Sequence, residues 1–337
     1  MKKVLPLVFL FCLLSCIKEK SETVVREFPI TRELSWDETS VDSEVLMPMA
    51  MFCMNEYLIV NKSKDDFLFD MYDRSSLKHI KSFGRKGNGP EDFNSFNIQT
   101  FKTKNNCFSV LELGTGYLRK VEVNDSSLIH SREKLFSDNS MINGFTPINE
   151  KKSLIFSLIG EDHEFEIVSH TDTSEFHFGK YPEWIPEYFE PFEKFLTGMK
   201  GCVIHPSKDK IAVFYNRMKH FRLYDSKGVL IRDVSVQTLP FVDKIASCKP
   251  VDLASFYIYP QADDKYIYVL SNNKIPDSQE SFLQELQVWD WNGQPVANFK
   301  LNKPISIWSF SSLDKKIYAM NKSESNIIYS LDLSSEL

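Results

Sequence analysis

Residues 81–93 read Lys-Ser-Phe-Gly-Arg-Lys-Gly-Asn-Gly-Pro-Glu-Asp-Phe. Three of the chain's twelve glycines, Gly84, Gly87 and Gly89, fall within six residues here, and two cations, Arg85 and Lys86, lie among them. A glycine cluster cradles phosphate when it leads into a helix whose N-terminal amides face the anion. Pro90 and an extended run over residues 93–100 follow instead. The glycines therefore read as a backbone demand for a sharp reversal, and only Arg85 and Lys86 keep a claim to ligand contact.

A second concentration of reactive surface lies over residues 181–200, where Tyr181, Trp184, Tyr188, Phe189, Phe192 and Phe195 stand among three prolines. Pro191 is placed to start a short helix carrying Phe192, Phe195 and Met199 on one side. Such aromatics can stack on sugar rings or anchor a partner, and they can equally plug the hub of a fold. Trp184 and Tyr188 are the candidates drawn from this stretch. Asn216, Arg217 and His220 are the candidates from the polar loop that follows. His163, His170 and His177 recur every seven residues, but on strands that step alternates faces, so no metal site is expected. The acidic pairs Asp65-Asp66, Asp263-Asp264 and Glu161-Asp162 lack the oxygen-ligand spacing of a calcium loop. Gly-x-Ser-x-Gly is absent. No catalytic, cofactor-binding or metal-ligating residue is assigned, and no cofactor is expected.

The N-terminus speaks to compartment. Met1, Lys2 and Lys3 form a basic start, residues 4–14 are apolar, and Leu13-Leu14-Ser15-Cys16 ends the run with a small residue before cysteine. Eleven apolar residues are too few to span a bilayer and fit a cleaved leader. Loss of Lys2 and Lys3 moves the net charge from -6 to about -8, so no basic field favours nucleic acid. Of the six cysteines, Cys53, Cys107, Cys202 and Cys248 would remain as thiols, none spaced as CxxC, and no bridge is expected.

These side chains must be positioned by a repeat. Strand-forming runs begin at Tyr57, Cys107, Ser153, Lys210, Lys265 and Lys316, that is 50, 46, 57, 55 and 51 residues apart. Each is preceded by a tight polar turn and followed by a variable loop, then by strands joined through Asp/Asn-rich turns. The expectation is an all-β, six-bladed β-propeller with four-stranded antiparallel blades. The sixth unit supplies only three strands before the chain ends, so residues 24–30, an isolated N-terminal strand, are expected to close the ring as its fourth. The division expected is 1–15 leader, 16–22 spacer and 23–337 propeller. In such a ring the loops at residues 61–66, 84–92, 112–116, 181–200, 216–220 and 271–281 open on one face, where binding belongs.

Residues 83–93 resemble the glycine-rich connection of NHL-type repeats, and residues 13–16 match the lipobox of bacterial lipoproteins. Together they are similar to the TolB-like propeller lipoproteins common in Bacteroidetes. The resemblance implies cleavage before Cys16, lipidation of Cys16, and attachment by that lipid to the cell envelope, at the outer membrane. Residues 18–20, Lys-Glu-Lys, resemble a surface-export signal of such bacteria, and the periplasmic or surface side stays open. Two functions are compatible. One is a binding or scaffold module for a carbohydrate, peptide or protein partner. The other is a metal-dependent lactonase- or lyase-like enzyme, for which Glu112, Asn216, Asn272 and Asn321 fall near the ends of second strands.

Overall fold

The computed structural model describes residues 22–42, 45–87, 89–124, 127–136, 142–157, 163–171 and 175–337. Cys16 and residues 1–15, expected as a leader, lie outside them. Six antiparallel sheets follow one another along the chain as the blades of a propeller. Blade I is Pro48–Met54, Tyr57–Lys62, Phe69–Asp73 and His79–Phe83; blade II is Lys102–Lys104, Cys107–Leu111, Tyr117–Asn124 and Ser127–Lys134. Blade III is Ile142–Pro147, Lys152–Ser157, Phe165–Ser169 and Glu175–Phe178; blade IV is Lys200–Ile204, Lys210–Tyr215, His220–Asp225 and Leu230–Val236. Blade V is Ser255–Ala262, Tyr266–Lys274, Glu285–Asp290 and Pro295–Leu301, and blade VI begins with Ile307–Ser311, Lys316–Met320 and Ile327–Asp332.

The N-terminal segment closes the ring, but with different residues from those expected. Asp37–Ser40 is the fourth strand of blade VI, antiparallel to Ile327–Asp332 with Ser40 opposite Ile327. Residues 24–30 do not fill that place. Thr23–Val25 instead adds a fifth, parallel strand to the rim of blade IV, and Ile30–Leu34 adds another to blade V. The segment is thus a strap laid across three blades. Its docking is fixed by apolar side chains: Val25 and Phe28 enter the core between blades IV and V, Phe28 meeting Trp289 edge-on at 4.9 Å. Trp36 enters the core between V and VI. Pro29 cannot donate to a ladder, which separates the first two strap strands.

Each pair of neighbouring blades shares one apolar cluster. The seam between blades II and III has the smallest, built on Leu111, Leu118, Ile142, Phe145, Ile155 and Val168. The outer turns repeat one device. Asp225 Oδ1 accepts the amides of Lys227 and Val229 at 2.8 and 2.9 Å, with Gly228 at φ 75°. Asp290 does the same for Asn292 and Gln294, with Gly293 at φ 73°. In blade I the hydroxyls of Ser75 and Ser76 and the Ser76 amide hold the Asp73 carboxyl down to about 2. A carboxylate that satisfies the turn amides is why these turns are written with aspartate.

Candidate functional site

The glycine loop is a structural connection between blades I and II. Gly84 sits at φ 69°, and a Cβ there would lie 2.8 Å from Phe93 and 2.9 Å from Phe69. Phe93 is fully buried with Phe69 and Phe108. Asp92 Oδ2 accepts the Gly89 amide at 2.9 Å. From blade II, Arg119 donates to the carbonyls of Pro90 and Asp92, both at 2.7 Å, while its Nε pairs with the buried Glu112 at 3.1 Å. Arg132 makes a second ion pair with Glu112. The loop therefore carries Phe93 into the core and is clamped from the next blade. Arg85 and Lys86 are exposed, Arg85 resting over the Phe67 ring at 4.9 Å. Gly84→Ala is expected to cost about 2–3 kcal/mol, from a left-handed backbone plus overpacking. Arg85→Ala with Lys86→Ala should leave the melting temperature within about 2 °C. Thermal unfolding checks both.

The aromatic stretch forms a cap over the rim of blade IV. Pro191–Thr197 is the helix expected there; Glu190 and Glu193 form a capping box in which Glu193 accepts the Glu190 amide at 2.9 Å. Ile185, Phe189, Met218, Ile245 and Leu253 pack as one cluster, which Trp184 and Tyr181 join, so two inter-blade connections, residues 179–199 and 237–254, are stapled together. Tyr188, at 78% exposure, stands outside it with Phe192, Leu239, Phe241 and Val251.

Trp184 meets Tyr215 edge-on at 5.1 Å and lies against His220. His220 is buried and pairs with Asp233, and its Nδ1 lies 3.4 Å from Glu22. Arg222 joins Asp233 Oδ2 at 2.9 Å, the Lys180 carbonyl at 2.6 Å and Glu164 at 3.4 Å. Glu164 also takes Lys200 at 2.7 Å and the Tyr215 hydroxyl at 2.8 Å. This is a closed network between blades III and IV that sequence reasoning missed, because its members are far apart in the chain. Burial pushes the Asp233 carboxyl up, but His220 and Arg222 outweigh it and hold it below the ordinary range. Arg217 donates to the Ala254 carbonyl at 3.2 Å, and burial lowers its titration.

Of the seven ligand candidates, only Asn216 borders the central channel; its side chain donates to the Tyr257 carbonyl at 3.0 Å. The channel is a cavity of about 1730 Å³ walled by inner strands of all six blades. It widens into the seam between blades II and III, where Lys120, Glu122 and Glu133 line one side and Asn149, Lys152 and His170 the other. Phe52, Phe101, Tyr257, Trp308 and Phe310 give it aromatic walls. Seven lysines line it, Lys102, Lys104, Lys120, Lys151, Lys152, Lys200 and Lys208, against three glutamates, Glu122, Glu133 and Glu150. In a chain of net charge -6 this is a locally positive interior.

The residues named for an enzyme reading are engaged elsewhere. Glu112 holds Arg119 and Arg132. Asn272 donates to Ser255 at 3.1 Å and accepts from Gln284 at 2.9 Å, and Asn321 accepts the Ser323 amide at 3.0 Å. Among the described residues the two groupings with metal-ligand geometry are Glu22, His220 and Asp233, and Glu166, Glu175 and His177. Both lie on outer strands and the strap, not on the channel axis. His163 and His177 are brought together, rings 5.2 Å apart, while His170 is held at the opposite end of blade III by Ser153 at 2.8 Å. Cys53, Cys107, Cys202 and Cys248 are free thiols.

No family model matches the chain, and no curated protein matches it. Solved structures do. A protein of Bacteroides fragilis assigned as exported is similar at 12% identity with a TM-score of 0.56, over 91% of this chain and 98% of that one. A member of the DUF4221 family from Bacteroides vulgatus is similar at 10% identity with a TM-score of 0.58, over 88% of this chain and 95% of that one. Likeness at this identity extends to the architecture, and on that footing the chain is a six-bladed β-propeller shared with proteins of Bacteroides.

Proposed function

We propose that the protein is a lipid-anchored binding module of the cell envelope, of the TolB-like and NHL-like propeller type, whose ligand sits in the central channel. The observation that carries this reading is the channel itself: about 1730 Å³ of open space walled by every blade, aromatic and cationic in character. Its volume exceeds the roughly 300–1,000 Å³ of ordinary small-molecule sites, which suits an extended ligand such as a carbohydrate or peptide. Of the four residues named for an enzyme, Glu112, Asn272 and Asn321 are tied up in ion pairs and hydrogen bonds, and Asn216, which borders the channel, is held by the Tyr257 carbonyl.

Anchorage follows from the leader, with residues 1–15 removed, Cys16 acylated and residues 16–22 as spacer. Glu22 already touches blade IV at His220. Six residues at about 3.5 Å each let a lipid on Cys16 lie no more than about 21 Å from that rim. The exposed apolar side chains of the cap stand on the same blade's face and would meet the bilayer first. The protein of Bacteroides fragilis with the same architecture that is assigned as exported is consistent with export of this chain.

Binding of neutral glycans, acidic glycans and peptides on an array tests the channel. One class is expected to bind, and Ala50→Trp, which fills the channel from blade I, is expected to abolish it without lowering the melting temperature. Binding that survives Ala50→Trp and is lost on Tyr188→Ala with Phe192→Ala would place the site on the cap and overturn the reading. Cys16→Ser is expected to move the protein from the membrane to the soluble fraction.

A further inference from the structure

We infer that the channel takes an acidic oligosaccharide, one of whose carboxylate or sulfate groups seats against the ammonium of Lys102. This rests on the channel being the ligand site. Lys102 belongs to the inner strand of blade II and is half-buried in the channel wall, and its ammonium has no hydrogen-bond or ion-pair partner among the described residues. Cys202, on the inner strand of blade IV, lines the same channel wall. Thr146 on blade III shares a hydrogen bond with Cys202 Sγ at 3.5 Å. The channel wall thus presents an ammonium, a hydroxyl and a thiol from three successive blades.

The chemistry of that wall suits an oxyanion. Burial holds the Lys102 ammonium below its ordinary range and pushes the Cys202 thiol up, so the thiol stays neutral and does not compete as the counter-charge. Lys200, the other cation nearby, is already committed to Glu164. Exposed lysines, Lys104, Lys151, Lys152 and Lys208, ring the end of the channel formed by the hairpins of blades II to IV. Spaced cations along walls of aromatic rings match a polymer of apolar-faced sugar rings carrying regularly spaced acid groups. An acidic peptide is the competing occupant.

Calorimetric titration of the folded chain from Glu22 onward, with a sulfated octasaccharide, an oligogalacturonate, a neutral maltohexaose and a polyglutamate peptide, tests the proposal. An acidic saccharide is expected to bind and the maltohexaose not to. Lys102→Met is expected to weaken binding at least tenfold, the worth of a charge-assisted hydrogen bond. It should leave the melting temperature unchanged or raised, because a buried unpaired charge is removed. Lys102→Gln serves if the first variant does not fold. Equal binding of the neutral saccharide, binding of polyglutamate alone, or no binding by any probe overturns the proposal. Acidic binding that survives Lys102→Met yet is lost on Ala50→Trp overturns it while the channel reading stands; survival of Ala50→Trp as well removes both.

Discussion

A chain that begins at Val41 is expected to lose cooperative unfolding and to accumulate as insoluble protein, whereas one that begins at Ser35 folds and melts in a single transition at lower temperature. The Ser35 chain forfeits the fifth strands on blades IV and V and the contacts of Val25 and Phe28 with the core. Its ring stays closed, because Asp37–Ser40 still pairs with Ile327–Asp332 and Trp36 still fills the core between blades V and VI. The Val41 chain loses both. Removing a buried tryptophan costs about 3–5 kcal/mol, comparable with the whole stability of many domains. The outer edge of the last blade would then be the more apolar Ile327–Asp332 in place of the polar Asp37–Ser40, a template for aggregation. Expression without the leader, followed by calorimetry and sedimentation, compares the two. Identical melting of both chains would show that the clasp is dispensable.

Arg222→Met is expected to destabilise the protein by about 3–5 kcal/mol, the cost of breaking a buried ion network from one side. The guanidinium joins three acceptors at once, Asp233, Glu164 and the Lys180 carbonyl, and methionine satisfies none. Lysine cannot reproduce the fork, so Arg222→Lys should rescue only part. Acid unfolding gives a signature that a packing defect would lack. The Asp233 carboxyl is held below its unfolded value, near 3.9, so its contribution is complete above that value and is lost as pH falls through the folded one. Without Arg222 one of the two side chains that lower it is gone. Its folded value rises, and the acid midpoint of the variant should move to higher pH. Denaturant titrations from pH 7 to pH 3 measure both effects; a variant with unchanged acid midpoint would mean that His220 alone sustains Asp233.

The ring was legible because its units repeat. The strand runs starting near Tyr57, Cys107, Ser153, Lys210, Lys265 and Lys316 are apolar enough to be read singly, and the Asp-Gly turns after the third strands carry their mechanism in two residues. The structural role of the glycine loop was also legible, since the run after Pro90 reads as extended chain and not as the helix that a phosphate site needs. The clasp was misplaced for a physical reason. Asp37–Ser40 is a polar edge strand with no alternation to betray it, while residues 24–30 look more like a strand and divide at Pro29 into two pieces on other blades. What fixes the register is Trp36, a single residue whose partner Tyr329 lies almost the full chain away. The network around Glu164 and the grouping of Lys102, Thr146 and Cys202 on the channel wall were hidden for the same reason. Each takes its members from different blades, and a one-dimensional pattern carries no record of which inner-strand residues line the channel. The loops scanned for ligand residues held only Met199, Lys200 and Asn216 of the channel wall, because the wall is made by the inner strands themselves.

The strap also dictates when the molecule can finish folding. Residues 37–40 leave the ribosome early and wait for residues 327–330, which follow some 290 positions later. At about 5–20 residues per second, that delay is on the order of 15–60 s. Throughout it the closing strand has no partner and the ring has no last seam. Blades I to V can form hairpins as they appear, since their strands are sequential neighbours, but closure waits for Ile327–Asp332. The export proposed above gains from this order: the contact that locks the ring is unavailable until all five earlier blades have passed.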